Sequence, residues 1–336
     1  ALGLRDELRN LFDELGGLHL QIGKYYPYRE IMNNAALGEV VAGLKAVVDP
    51  QRIHTVREAM RLQLATALYA DWEWAYATHQ DSGGFRPDAT SAGRRALVGQ
   101  ALSNLCLAAS TSGDPVWPGK ALQRFKDASN MTDQANALQA LIGSGHPLAV
   151  RALQIFHAQF KDEALVLDKW FAMQAGACDK GGNVLREVQL LLKHPDFQLR
   201  NPNRARSVIF SYCSANPGAF HRADAAGYVF WSQQVIALDA INPQVAARLA
   251  RALDRWNKLA EPLRGAAREA IARVAARLGI PYTLSTMATS SIEDVAAVGG
   301  RLWFQLYVLC DQALTQSLLK RALAAGYEAL VVTLDL

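Results

Sequence analysis

Long apolar runs, paired cysteines and a surplus of one charge are what this chain has little of, and each shortage removes a class of function. No apolar run approaches the roughly 20 residues that a membrane-spanning helix needs, so nothing in the sequence reads as a membrane span. Four cysteines, Cys106, Cys178, Cys213 and Cys310, stand far apart and form no C-x-x-C pair. That spacing excludes a zinc knuckle and a disulfide framework, and reads as reduced thiols in the cytoplasm. The charge is nearly balanced, 35 Lys and Arg against 31 Asp and Glu for a net +4. With no basic stripe carrying interleaved aromatics, a nucleic-acid partner is excluded. The opening ALGLRDELRN is a charged helix rather than a signal peptide. Ala1 in place of an initiator Met reads as a trimmed or fragmentary N-terminus.

What the chain does have is apolar content enough for a core: 51% hydrophobic and 20% charged across 336 residues, room for two or three domains. Leu4, Leu8, Leu11 and Leu15 recur at helical spacing, and alternation in Leu18, Leu20 and Ile22 suggests a strand. A second helix over about 36–47 ends at Asp49-Pro50.

From His54 to about Ala276 the pattern is helical almost throughout. Helices are expected near 54–78, 93–110, 119–127, 132–142, 147–160, 163–176, 183–192, 204–213, 219–222, 225–238, 244–256 and 261–277, with 81–93 the most loop-like stretch. Turn clusters such as GSGHP, RNPNR, SANPG and INPQ separate them. Their Asn-Pro and His-Pro pairs set proline in a first helical turn, where its missing N–H costs little. Many short helices in sequence, without a strict repeat, predict a mainly α protein built as an irregular α-solenoid of ARM/HEAT type.

After Ile280 the period changes. TLSTMA, LWFQLYV and ALVVTLD are β-prone, and the segments between them are helical. A β-α-β-α-β run of this kind predicts about three parallel strands, a partial (β/α) barrel. Ser290 or Ser291 can cap its first helix, with Glu293 and Asp294 in the first turn. Ser285 and Met287, Gln305 and Tyr307, and Thr333 and Asp335 are each two apart, so each pair faces one side near the carboxyl end of its strand.

LSTMATSSIEDVA, LWFQLYV and AAGYEALVVTLDL resemble the FMN-dependent α-hydroxy-acid dehydrogenases and oxidases. The resemblance implies that Ser285, Gln305 and Thr333 would hydrogen-bond the flavin ring. Tyr307 would bind the substrate carboxylate, Asp335 would orient a catalytic His, and Met287 would line the pocket. In that family the His, its neighbouring Arg, the flavin-contacting Lys and the phosphate loops follow the position of Leu336. The FMN site is therefore incomplete, and bound FMN is not expected.

SNMTDQANAL, LVLDKWF, LRNPNRARSVI, SANPGAFHRADAAGYVF and INPQVAARL resemble the C-terminal helical domain of bacterial aminopeptidase N, a zinc peptidase. There the domain closes a chamber over the active site. Arg206 and Arg248 match chamber-facing positions and could meet a peptide's carboxylate or carbonyls. Solvated helix charge or helix C-terminal capping is the other reading of Arg204, Arg206 and Arg248. Asp168, Lys169 and Trp170 read as a structural ion pair and a core aromatic, and His221 as a packing residue. The zinc chemistry needs H-E-x-x-H. No such motif occurs, and the seven His show no i, i+4 pair. The expectation is that this stretch neither binds the peptidase zinc nor cleaves peptides alone, and that a catalytic domain or a peptide is its partner.

LRDELRNLFDELGGLHLQIGKYYPYRE and LKAVVDPQRI resemble the C-terminal end of FAD-linked oxidases of the vanillyl-alcohol oxidase type, where Lys24 and Tyr26 would have faced a flavin. The expected organisation is thus residues 1–53 from an oxidase, 54–276 from an aminopeptidase helical domain, and 277–336 from an FMN barrel. VVDPQRI and REAIARVAARLGI suit the families on both sides of each switch, the pattern of a fusion at short shared sequence.

Overall fold

A computed structural model describes residues 47–81, 83–288, 291–297 and 299–333. The helix and strand expected within residues 1–46 lie outside the described residues, as do Lys24 and Tyr26.

Asx side chains set many helix starts. Asp49 accepts from Arg52 N–H and opens α1 (Pro50–Ala67). Three Asn-Pro pairs repeat the device: Asn201 opens α9 (Pro202–Ala205), Asn216 opens α11 (Pro217–Phe220) and Asn242 opens α13 (Pro243–Ala250). In each, the Asn oxygen takes an orphan N–H of the first turn while proline occupies a position with no N–H to satisfy. The rest of the helical array comprises α2 (Tyr69–Thr78), α3 (Ala89–Ser112), α4 (Val116–Asp127), α5 (Met131–Ser144), α6 (Leu148–Phe160), α7 (Ala164–Ala175), α8 (Val184–Leu191), α10 (Ser211–Cys213), α12 (Ala226–Asp239) and α14 (Leu263–Leu278). A π-helical turn, Arg206–Phe210, joins α9 to α10.

Three expected boundaries move. The helix expected over 54–78 is two helices, broken at Leu68. The loop expected to run to residue 93 stops at Asp88, which accepts from Ser91 N–H and starts α3 four residues early. The helix expected over 244–256 ends at Ala250 and continues as 3-10 turns, Arg251–Leu253 and Trp256–Lys258.

The helices pack on sequence neighbours, as a solenoid requires. Helix α3 lies against α1, α2, α4 and α5, and α12 lies against α13 and α14. Their inward faces make one continuous core with Phe125, Phe156, Phe171, Tyr212, Phe220 and Trp231 at its centre. Burying each such ring removes apolar surface from water at about 25 cal/mol per Å². The front of the array is tied to its rear: Val48 N–H donates to Lys258 O (2.6 Å) and Ala260 N–H to Val48 O (2.7 Å), a single parallel bridge. Gln51 Nε2 adds a bond to Gly218 O at 2.9 Å.

Beyond α14 come β1 (Tyr282–Ser285), α15 (Ile292–Ala296), β2 (Leu302–Leu306), α16 (Gln312–Ala324) and β3 (Ala329–Val332). The strands are parallel in the order β1-β2-β3, with Ser285 opposite Gln305 and Gln305 opposite Val331. This unit has its own core of Leu284, Ile292, Val295, Leu302, Phe304, Leu306, Ala322 and Tyr327. Ser291 caps α15 by accepting from Asp294 N–H. The mainly helical architecture with a three-stranded parallel segment is the one the sequence predicts.

Candidate functional sites

The parallel register brings Ser285, Gln305 and Thr333 into one line at the carboxyl ends of the strands. Ser285 Oγ donates to Gln305 Oε1 (2.6 Å), and Gln305 Nε2 donates to Thr333 Oγ1 (2.8 Å). Gln305 is buried, and these two bonds give its amide oxygen and its amide nitrogen one partner each. Thr286 Oγ1 donates to Gln305 O (2.7 Å) and accepts from Tyr307 N–H (3.0 Å), which fixes the turn beside the line. Tyr307 is half-buried just past β2. Met287 is 74% exposed, beyond the end of β1. Asp335 lies outside the described residues.

The line fits one edge of a flavin ring: three side chains with both donors and acceptors, spaced by the strand separation. It does not fit the rest of FMN. Segments 286–291 and 307–311, which follow β1 and β2, contain no Lys or Arg to meet a phosphate.

The arginines of the helical array divide sharply. Arg204 is buried, and its Nε donates to Asp168 Oδ1 (2.6 Å) while a terminal nitrogen donates to Asp196 O (2.7 Å). Its guanidinium also lies over the Phe171 ring. That rules out solvated charge for Arg204, and it supplies the partner of Asp168, which is not the adjacent Lys169. Arg206, two residues on, begins the π-helical turn and is half-buried. Arg248 is exposed in the last turn of α13. Among the described residues, neither Arg206 nor Arg248 has an ion pair or a side-chain hydrogen bond. A π-helical turn widens the helix by one residue and re-aims the side chains around it, which is why such turns gather at working surfaces.

His221 packs on Phe220 and Tyr228, with Nδ1 2.8 Å from the Tyr228 hydroxyl. Burial pushes its pKa down to about 4, so it is the neutral packing residue expected of it. The free thiols of Cys106 and Cys213 are buried, and burial raises the pKa of Cys106 to about 12. No described helix is long and apolar enough to cross a membrane.

Two clusters escape sequence reasoning. His54, Glu58 and Cys178 converge from α1 and the α7–α8 loop, and His157, His194 and Asp196 converge from α6 and the α8–α9 segment. His54 and Glu58 stand i, i+4 on α1 and His194 and Asp196 are two apart, a weak local signal, but the third member of each cluster comes from a separate element and no spacing rule finds it.

Comparison with known proteins finds two overlapping matches along the chain. Residues 30–293 match the family described as a domain of unknown function (DUF3458_C) with ARM repeats, and residues 257–336 match FMN-dependent dehydrogenase. Aminopeptidase N of Caulobacter vibrioides is 34% identical over 246 residues, 73% of this chain and 28% of that protein. The 4-hydroxymandelate oxidase of Amycolatopsis orientalis is 52% identical over 66 residues, 20% of this chain and 18% of that protein. A crystal structure of Legionella pneumophila aminopeptidase A in complex with aspartic acid shares the fold at a TM-score of 0.60 and 22% identity. It covers 88% of this chain and 33% of that one. The chain thus spans between 18% and 33% of the length of these three relatives.

Proposed function

The chain belongs to the DUF3458_C ARM-repeat family, the C-terminal helical domain of aminopeptidase N, through residues 30–293, and from that premise we propose that it acts as a helical cap on an aminopeptidase N-type catalytic domain. In this reading Arg206 and Arg248 face the capped chamber and meet the carboxylate or carbonyl oxygens of a peptide. The observation that carries the reading is that, among the described residues, neither arginine has a protein partner, and Arg206 is half-buried on a π-helical turn. A half-buried guanidinium favours an acceptor, from solvent or from a ligand that displaces it. Residues 1–336 contain no H-E-x-x-H, so in this reading the zinc site belongs to the catalytic domain that the helical array caps.

The test is to mix the chain with an aminopeptidase N catalytic domain stripped of its own helical domain. Co-elution and a lowered KM for peptides support the cap. In the Arg206→Ala, Arg248→Ala double variant the KM advantage is lost while co-elution persists. Absence of any association refutes the proposal.

A second reading rests on the Ser285–Gln305–Thr333 line: the C-terminal unit is part of an FMN-dependent α-hydroxy-acid dehydrogenase barrel that another chain completes. Binding FMN must raise the melting temperature of the native state. A colourless protein whose melting point ignores FMN, alone and with a candidate second half, ends this reading. The overlap of the two family matches at 257–293 supports a fusion of two parents near α14. One long sequencing read through codons 265–285 of the source DNA tests it.

A further inference from the structure

Away from those sites, two imidazoles and a carboxylate meet at one point. His157 lies in the last turn of α6, and His194 and Asp196 lie between α8 and α9. Asp196 Oδ2 is 2.7 Å from His157 Nε2 and 3.6 Å from His194 Nδ1. The donor atoms of all three lie within 4.8 Å of one another.

Two features distinguish this from a chance cluster. Asp196 N–H donates to His194 Nδ1 at 3.2 Å, so the single Nδ1 lone pair is the free-base one and the proton sits on Nε2. A cation that takes Nδ1 and the Asp196 carboxylate together replaces that one N–H bond. Arg204, the nearby cation, does not pair with the carboxylate: its donors go to Asp168 Oδ1 and to the Asp196 backbone carbonyl. The rings are also held in place. Trp170 packs against His157 and His194, and Phe171 meets His194 edge-on. The Asp196 side chain is 37% exposed. It borders a cleft of about 270 Å³ with Lys161, Asp162 and Gln198.

We propose that His157, His194 and Asp196 bind a divalent transition metal, Zn²⁺ or a similar ion, and that the ion staples α6 to the α8–α9 segment. Two imidazole nitrogens and one carboxylate suit Zn²⁺, Co²⁺ or Ni²⁺ rather than Ca²⁺ or Mg²⁺. Around tetrahedral zinc, with bonds of about 2.0–2.1 Å, ligand atoms sit about 3.3 Å apart. The 3.6 Å pair is near that value. The 2.7 Å pair opens by about 0.6 Å to reach that value when the proton it shares is replaced by the ion.

The experiment uses the full chain stripped of metal and titrated with Co²⁺, a coloured stand-in for Zn²⁺. The expected result is one Co²⁺ per chain with a visible d–d band, displaced by Zn²⁺, and a melting temperature that rises with Zn²⁺. Asp196→Asn and His157→Gln keep size and hydrogen-bonding capacity, and the melting point and circular dichroism of each metal-free variant establish that it is folded. Each lowers cobalt affinity by more than about a hundredfold, the upper end of what losing an outer-shell partner costs. Three results overturn the proposal: no binding, folded variants that bind like the parent, or a sulfur-to-cobalt charge-transfer band abolished by Cys178→Ser. The last places the ion on His54, Glu58 and Cys178.

Discussion

Replacing Arg204 with methionine removes more than one bond. The guanidinium is buried, it holds Asp168 Oδ1 at 2.6 Å and Asp196 O at 2.7 Å, and it lies over Phe171. Methionine keeps much of the aliphatic stem, so the packing loss is small, and the charge terms dominate. A bond to a charged group is worth about 1.5–3 kcal/mol net, and a buried carboxylate stripped of its partner raises the total to about 3–5 kcal/mol. That is a large part of the 5–15 kcal/mol that holds an ordinary domain. The Arg204→Met, Asp168→Leu double variant removes the stranded charge together with its partner, and most of the loss is recovered. Arg204→Lys falls between, because an ammonium cannot reproduce the fork. Urea denaturation followed by far-ultraviolet circular dichroism measures all three, with the slope m checked for constancy. A single-variant cost under about 1 kcal/mol, the range of an exposed pair, refutes the reasoning. So does a double variant no more stable than Arg204→Met.

The other expectations are of the same kind. A Cβ at Gly227 would sit 2.1 Å from Phe220 O, so Gly227→Ala costs more than about 2 kcal/mol in a melt, whereas Gly93→Ala, exposed in α3 with open space around it, stabilises by about 1 kcal/mol. Asn216 donates to Ala175 O and Ala177 O while capping α11, and Asn216→Ala lowers stability by about 2–4 kcal/mol in urea. His221 takes a proton near pH 6.5 when unfolded and only near pH 4 when folded, so the unfolded state binds more protons between those values. Stability is complete above about pH 6.5 and falls as the pH drops toward 4. His54 and His194, also lowered by burial, add to the fall. Urea midpoints measured across that window should show a shallower slope in His221→Gln, and an unchanged slope contradicts the assignment.

Where a helix starts was legible when a side chain announces it. Asn201, Asn216 and Asn242 each precede proline, and each caps its helix as the dipeptide foretells. Asp88 does the same work without a proline, and the polar run around it read as loop. The break at Leu68 carries neither glycine nor proline, so local preference had nothing to reveal. The π-helical turn at Arg206–Phe210 depends on how the helix is held by its neighbours, above all α7, and a periodicity reading cannot find it. At the strand ends, two-residue spacing placed Ser285, Gln305 and Thr333 on common faces, but their joining into one hydrogen-bonded line needed the register of three strands. The partner of Asp168 lay 36 residues away in Arg204. Both residues drew attention separately, and only the packing of α7 against α9 pairs them.

The parallel bridge between Val48 and Leu259 also sets where the array can come apart. It joins the chain just before α1 to the chain just before α14, so the first and last helices of the array are held to one another as well as to their sequence neighbours. Fraying of α1 must break the bonds to Lys258 O and from Ala260 N–H, closing contacts that an open stack of helices lacks. The clasp couples the two ends of the stack into one cooperative unit.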